Sequence, residues 1–185
     1  MKHINNLFII FLILLLTGCT NQPQFEELTY ATDFTEISAL DGRTWQILYE
    51  NREPSTYDGI VRHTSGWVDA SVPFMSHDIL MTTRDYADPE ITKTMVFQHK
   101  FFYRSDHGGL SGRINLIHAL PASLEIYEQL QQIDKWDHVI INGREILMVK
   151  IFDAEGKDKG YFKDMGCNTL LITGVTIIEP QVSAP

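Results

Sequence analysis

"INLIHALPASLEIYEQLQQIDKWDHVIINGREILMVKIF" occupies residues 114–152, and the change of period inside it organises the rest of the chain. Ile126, Leu130 and Ile133 stand at i, i+4 and i+7 among polar residues, which predicts one amphipathic helix near 121–134. Pro121 suits the first turn of such a helix, and Glu125 and Glu128 lie toward its positive end. Ile114–Leu120 ahead of it is a short apolar run. His138–Phe152 behind it is long and rich in Ile and Val, as a strand requires. Gly143 interrupts that strand and predicts a bulge or a sharp bend.

Working outward, further strands are predicted at Thr44–Tyr49, within 57–72, at Asp78–Thr83, over Met95–Arg104 and at Thr169–Ile178. Asp41-Gly42 and Asp153-Ala154-Glu155-Gly156 supply turns, and Asp88-Pro89 breaks the chain between strands. Strands, one helix, then two long strands resembles an OB-type small barrel, whose helix lies between the third and fourth strands. The expected fold is therefore mainly β, an OB-like barrel with one helix; an α+β roll would leave the same pattern. Function does not follow from that resemblance. His118-Ala119-Leu120-Pro121-Ala122, the helix, Asp137–Gly143 and Gly166-Cys167 also resemble a group of uncharacterised bacterial domains. Asn168 stands where that group usually carries an acid, and the likeness bears on fold alone.

The amino terminus carries a different signal. Lys2 precedes a run of ten apolar residues, Leu7–Leu16, which as a helix is about 15 Å long and half of what a bilayer core needs. That length suits the central region of a secretory signal. Leu16-Thr17-Gly18-Cys19 follows, and it resembles the lipobox of bacterial lipoproteins. The resemblance implies cleavage before Cys19 and a diacylglycerol on its thiol, so residues 1–18 form the signal. Two or more acyl chains hold a protein stably on a membrane. Thr20 after the cysteine implies the outer membrane facing the periplasm, or otherwise the outer face of the plasma membrane. Residues 19–40 are expected to be the lipidated cysteine and its tether, and residues 41–185 a single β-rich domain.

Composition narrows the partners. The net charge is −9 with neutral histidines, and losing residues 1–18 removes Lys2 and no acid. Nucleic acid is an unexpected partner for so acidic a chain, which is also expected to be repelled by anionic lipid surfaces. Attachment is therefore expected through the acyl chains on Cys19 and not through a basic patch. With Cys19 lipidated, Cys167 has no intramolecular disulfide partner. A buried small residue before a strand is its simplest role, with a reactive thiol or an intermolecular bridge as alternatives.

No cofactor motif is present. His99, His107, His118 and His138 could converge, but none has zinc-ligand spacing, so no metal is expected. His107-Gly108-Gly109-Leu110-Ser111-Gly112 is similar to the oxyanion segment of esterases, yet the strand-turn-helix elbow is missing and a hairpin loop is expected. Asp153–Asp158 fails the calcium-loop pattern at Gly156 and Lys157. Trp45, Tyr57, Trp67, Phe101, Phe102 and Tyr103 either form core or line a groove. Strand alternation turns Phe102 away from Phe101 and Tyr103, so one face of that run must carry an aromatic outward. Trp67, Phe101, Phe102, Tyr103 and His118 make up the candidate binding surface. These features together predict a non-enzymatic envelope lipoprotein that binds another protein or supports an envelope assembly. A ligand- or glycan-binding lipoprotein is the alternative, and a hydrolase or metalloenzyme using His107, Ser111 or His118 is the third.

Overall fold

A computed structural model describes residues 24–67, 72–163 and 168–180. The lipobox with Cys19, and Cys167, lie outside the described residues. Among the described residues no helix is long and apolar enough to cross a membrane.

Among the described residues, eleven strands and one α-helix follow one another as β1 (Leu28–Tyr30), β2 (Glu36–Ala39), β3 (Thr44–Tyr49), β4 (Ser55–Gly66), β5 (His77–Thr82), β6 (Lys93–Phe97), β7 (Lys100–Arg104), β8 (Ile114–Pro121), α1 (Leu124–Leu130), β9 (Asp137–Phe152), β10 (Asp158–Phe162) and β11 (Asn168–Pro180). Five of them close on themselves in the order β4, β5, β8, β11, β9 and back to β4. Only β8 and β11 run parallel within that ring. The helix enters between the third and fourth barrel strands, as an OB-like barrel requires.

Alternation drives the closure. Val61, Ile79, Met81, Ile117, Ala119, Val139, Ile141, Leu170 and Ile172 point inward, and Ile126, Leu130 and Ile133 pack against them from the helical segment. The helix is shorter than its period predicts. Ser123 caps it by accepting from the Ile126 N–H, so Pro121 ends β8 instead of opening the helix. Ile133 is buried in the turn beyond the last helical residue.

The long strand β9 serves two sheets, and Gly143 is the pivot. Up to Gly143 it pairs with β4; from Ile146 onward it pairs with β3. A Cβ on Gly143 would stand 2.2 Å from the Leu171 carbonyl oxygen, so only glycine lets β11 pass this close. Past the pivot, β10, β9, β3, β2 and β1 form an extension that curls over Val72, Phe74 and Met75. Trp45 meets Phe74 edge to face there, with ring centroids 5.7 Å apart. Burying a side chain of this size stabilises the fold by about 2–3 kcal/mol.

Three segments differ from the expectation. Residues 28–39, read as part of the tether, form β1 and β2, and Leu28, Ile37 and Ala39 belong to the second core. Polar residues between those apolar ones hide the pattern of short strands. Residues 158–162, where no element is expected, pair with β9 as β10. Met95–Arg104, read as one strand, is a hairpin that reverses at Gln98 and His99, both in the left-handed region at φ 49° and 58°. Neither residue advertises such a turn, because Asn and Gly are the usual occupants.

Candidate functional site

The barrel carries a polar row on its outside. Asp78 alternates along β5 with the interior residues Ile79 and Met81, so it points outward. Register sets Ser65 of β4, Asp78 of β5, His118 of β8 and Thr169 of β11 side by side. Asp78, His118 and Thr169 are all buried. Burial of such groups is costly unless they are paired, and these are.

The Asp78 carboxylate bridges two histidines. His118 Nδ1 lies 2.6 Å from one oxygen and His99 Nδ1 lies 2.7 Å from the other. A carboxylate can only accept, so both Nδ1 atoms carry hydrogen and each ring is fixed in orientation. His99 reaches Asp78 because the hairpin turn swings it over the end of β5. Trp67, directly after β4, covers the assembly: its ring lies 3.9 Å from that of His99 and 5.1 Å edge-on from that of His118. Phe162 of β10 adds an edge contact at 6.4 Å. The His118 and Asp78 side chains are only 4% and 5% exposed, whereas His99 is 45% exposed. The site thus has a closed polar floor and a half-open aromatic lid.

Ser76 Oγ lies 3.2 Å from the Ala119 carbonyl oxygen and 3.0 Å from His77 Nδ1. Burial holds the His77 imidazole below its ordinary value, and the Asp78 charge pulls it part of the way back. Ser111 of the glycine loop donates both its N–H and its hydroxyl to Asp85, at 2.7 and 2.9 Å. Those bonds hold the Asp85 carboxyl below the usual range.

The expected binding surface divides in two. Trp67 and His118 meet in the lidded site. Phe101, Phe102 and Tyr103 belong to the hairpin, with Phe101 half-buried, Phe102 exposed, and Tyr103 edge-on to Tyr86 at 5.5 Å. Among the other aromatics, Trp45 is core, and the Tyr57 hydroxyl donates to Glu145 at 2.8 Å. Of the four histidines considered together, His99 and His118 converge. His138 pairs with Asp58 at 2.6 Å elsewhere, and His107 stays in its loop. Among the described residues, no group of three His, Cys, Asp or Glu could hold a metal. Asp78, His99 and Phe162 were missing from the expected surface. The only hint of Asp78 in the sequence is an acid heading the apolar run Ile79-Leu80-Met81.

A second concavity of about 560 Å³ lies beside His138, lined by Asp58, Gly59, Thr83, Arg84, Gly112 and Arg113 among others. Gly112, at φ 106°, lets its loop approach the Thr83 carbonyl, where a Cβ would stand at 2.1 Å. No family model, curated protein or solved structure matches the chain.

Proposed function

We propose that this chain is a bacterial envelope lipoprotein, held to the membrane by acyl chains on Cys19, whose OB-like barrel is a non-enzymatic module that binds another envelope protein. The outer membrane facing the periplasm is its proposed location, from Thr20 after the lipidated cysteine. One observation carries the binding role: the Trp67 ring 3.9 Å from that of a half-exposed His99 and tilted to it by 31°, above a fully paired Asp78. A rigid aromatic platform of this kind suits recognition, because aromatic side chains offer large contact area at low entropic cost.

Two measurements test the proposal. Cells fed labelled palmitate should label the protein, and Cys19→Ser should abolish the label and leave an unprocessed precursor. A pull-down from solubilised membranes should return one stoichiometric partner, lost on Trp67→Ala. A Ser variant that still matures and stays on the membrane overturns the anchor; a wild-type pull-down without a stoichiometric partner overturns the binding role.

A second reading, a small-ligand-binding lipoprotein, is favoured by the cleft with Arg84 and Arg113 on its rim. A rise in melting temperature with a small anionic ligand and no partner protein would support it, and Arg113→Ala should remove that rise.

A further inference from the structure

We propose that one face of the β6–β7 hairpin rests on an anionic lipid bilayer. The two strands pair only with each other and form a separate two-stranded sheet outside the barrel. Register sets Lys93 opposite Arg104, Met95 opposite Phe102 and Phe97 opposite Lys100. Alternation places all six on one side. Met95, Phe97 and Phe102 are 58%, 60% and 49% exposed. Val96 and Phe101, from the other side, are half-buried.

The chemistry of that face is apolar in the middle and cationic at its edges. Lys93 donates to the Pro89 carbonyl at 2.6 Å, a contact that leaves its charge uncompensated. Arg104 meets Asp106 at a loose 3.4 Å, and both side chains are exposed. Among the described residues Lys100 has no ion pair. Three cations on one small face stand against a chain whose net charge is −9, so the charge averaged over the chain does not describe this surface. Aromatic and apolar side chains that enter the headgroup layer, flanked by Lys and Arg that meet acidic headgroups, are the usual composition of a membrane-surface element.

Phe25 stacks on Tyr127 of the helix at 4.3 Å. Cys19 precedes Phe25 by six positions, a reach of about 21 Å at most. On the lipoprotein reading, which takes the anchor to be at Cys19, the domain is tethered near enough to the bilayer for a surface element to reach it.

The test uses the full chain, purified from bacterial membranes and incorporated into vesicles. A membrane-impermeant amine-acylating reagent reports each lysine by mass spectrometry, with Lys157 of the β9–β10 turn as the internal reference. In phosphatidylethanolamine vesicles containing phosphatidylglycerol, Lys93 and Lys100 should react at least about fivefold more slowly than in detergent. In phosphatidylcholine vesicles that protection should fall to near one. Phe97→Ser with Phe102→Ser, both at exposed sites, should abolish it while the melting temperature is kept. Lys100 reacting as fast on anionic vesicles as in detergent overturns the proposal. Protection seen only in native membranes, and not on protein-free vesicles, also overturns it and assigns the face to a protein partner. The anchor is read separately, by palmitate labelling: wild-type chains that carry no label yet protect Lys100 keep the hairpin proposal and remove the anchor. Wild-type chains that float with vesicles while Lys100 stays reactive do the opposite.

Discussion

Asp78 and His118 face each other across β5 and β8 with carboxylate oxygen and Nδ1 2.6 Å apart, both almost closed off from water. The second oxygen of Asp78 is taken by His99 from the hairpin turn. One carboxylate thus fixes a barrel strand and the tip of a projecting hairpin. Asp78→Ala leaves two ring donors without that acceptor, one of them buried, and should cost about 3 kcal/mol. Asp78→Asn keeps one acceptor and should cost about half as much. Urea unfolding measures both, and an unchanged midpoint for the alanine variant would show that the network contributes nothing.

Hairpin geometry gives an opposed pair of expectations. Gln98 holds φ 49°, a conformation that Asn tolerates better, so Gln98→Asn should stabilise by up to about 0.5 kcal/mol. His99→Gly improves the turn by the same logic, yet removes the bond to Asp78 and the ring contact with Trp67. It should therefore destabilise by about 1–2 kcal/mol. A rise in melting temperature for both variants would mean that the His99 contacts are idle.

Gly143→Ala is expected to be the most damaging small change in the barrel. Its methyl group would meet the Leu171 carbonyl oxygen at 2.2 Å and the Leu170 side chain at 2.9 Å, where neither strand can yield without breaking the β9–β11 ladder. A loss above about 3 kcal/mol follows. Gly66→Ala meets nothing within 4 Å and should stay within about 1 kcal/mol of wild type. Circular dichroism melts of the two variants should separate them clearly.

His77 predicts a pH dependence. Burial is the main cause holding its folded-state value below the ordinary one, so the unfolded chain binds more protons in that interval. Its contribution is complete above pH of about 6.5 and is lost as the pH falls through that value toward the folded one. Wild-type stability should decline between pH 7 and pH 5 more steeply than that of His77→Gln. His63, shifted in the same direction by burial, remains to give the variant a residual slope. The carboxyls of Asp33 and Asp85, held low by their hydrogen bonds, act only at more acidic pH. Melting temperatures of the two proteins across this range decide the matter: parallel curves would exclude the assignment.

Local pattern carried much of the barrel. The period at Ile126 and Leu130 located the helix, the apolar runs on either side located β8 and β9, and Gly143 marked the bend. Each depends on which side of a single element is apolar, and a side chain declares that by itself. The short strands β1, β2 and β10 left little trace, since three to five residues hold too few alternations to stand out. Met95–Arg104 misled because its apolar content continues through a turn made by residues that do not favour one.

The lidded site shows where sequence stops. Trp67 and His118 were visible as candidates, but Asp78, His99 and Phe162 join them from three further segments of the chain. Which residues meet across strands depends on register, and register is set when five strands must close into one ring around a shared core. The sequence by itself determined the helix, the long strands on either side of it and which of their sides turn inward. Only the closed tertiary structure decided that a buried carboxylate, two imidazoles and an indole would share one place, because their meeting is a property of strand pairing and not of any one strand.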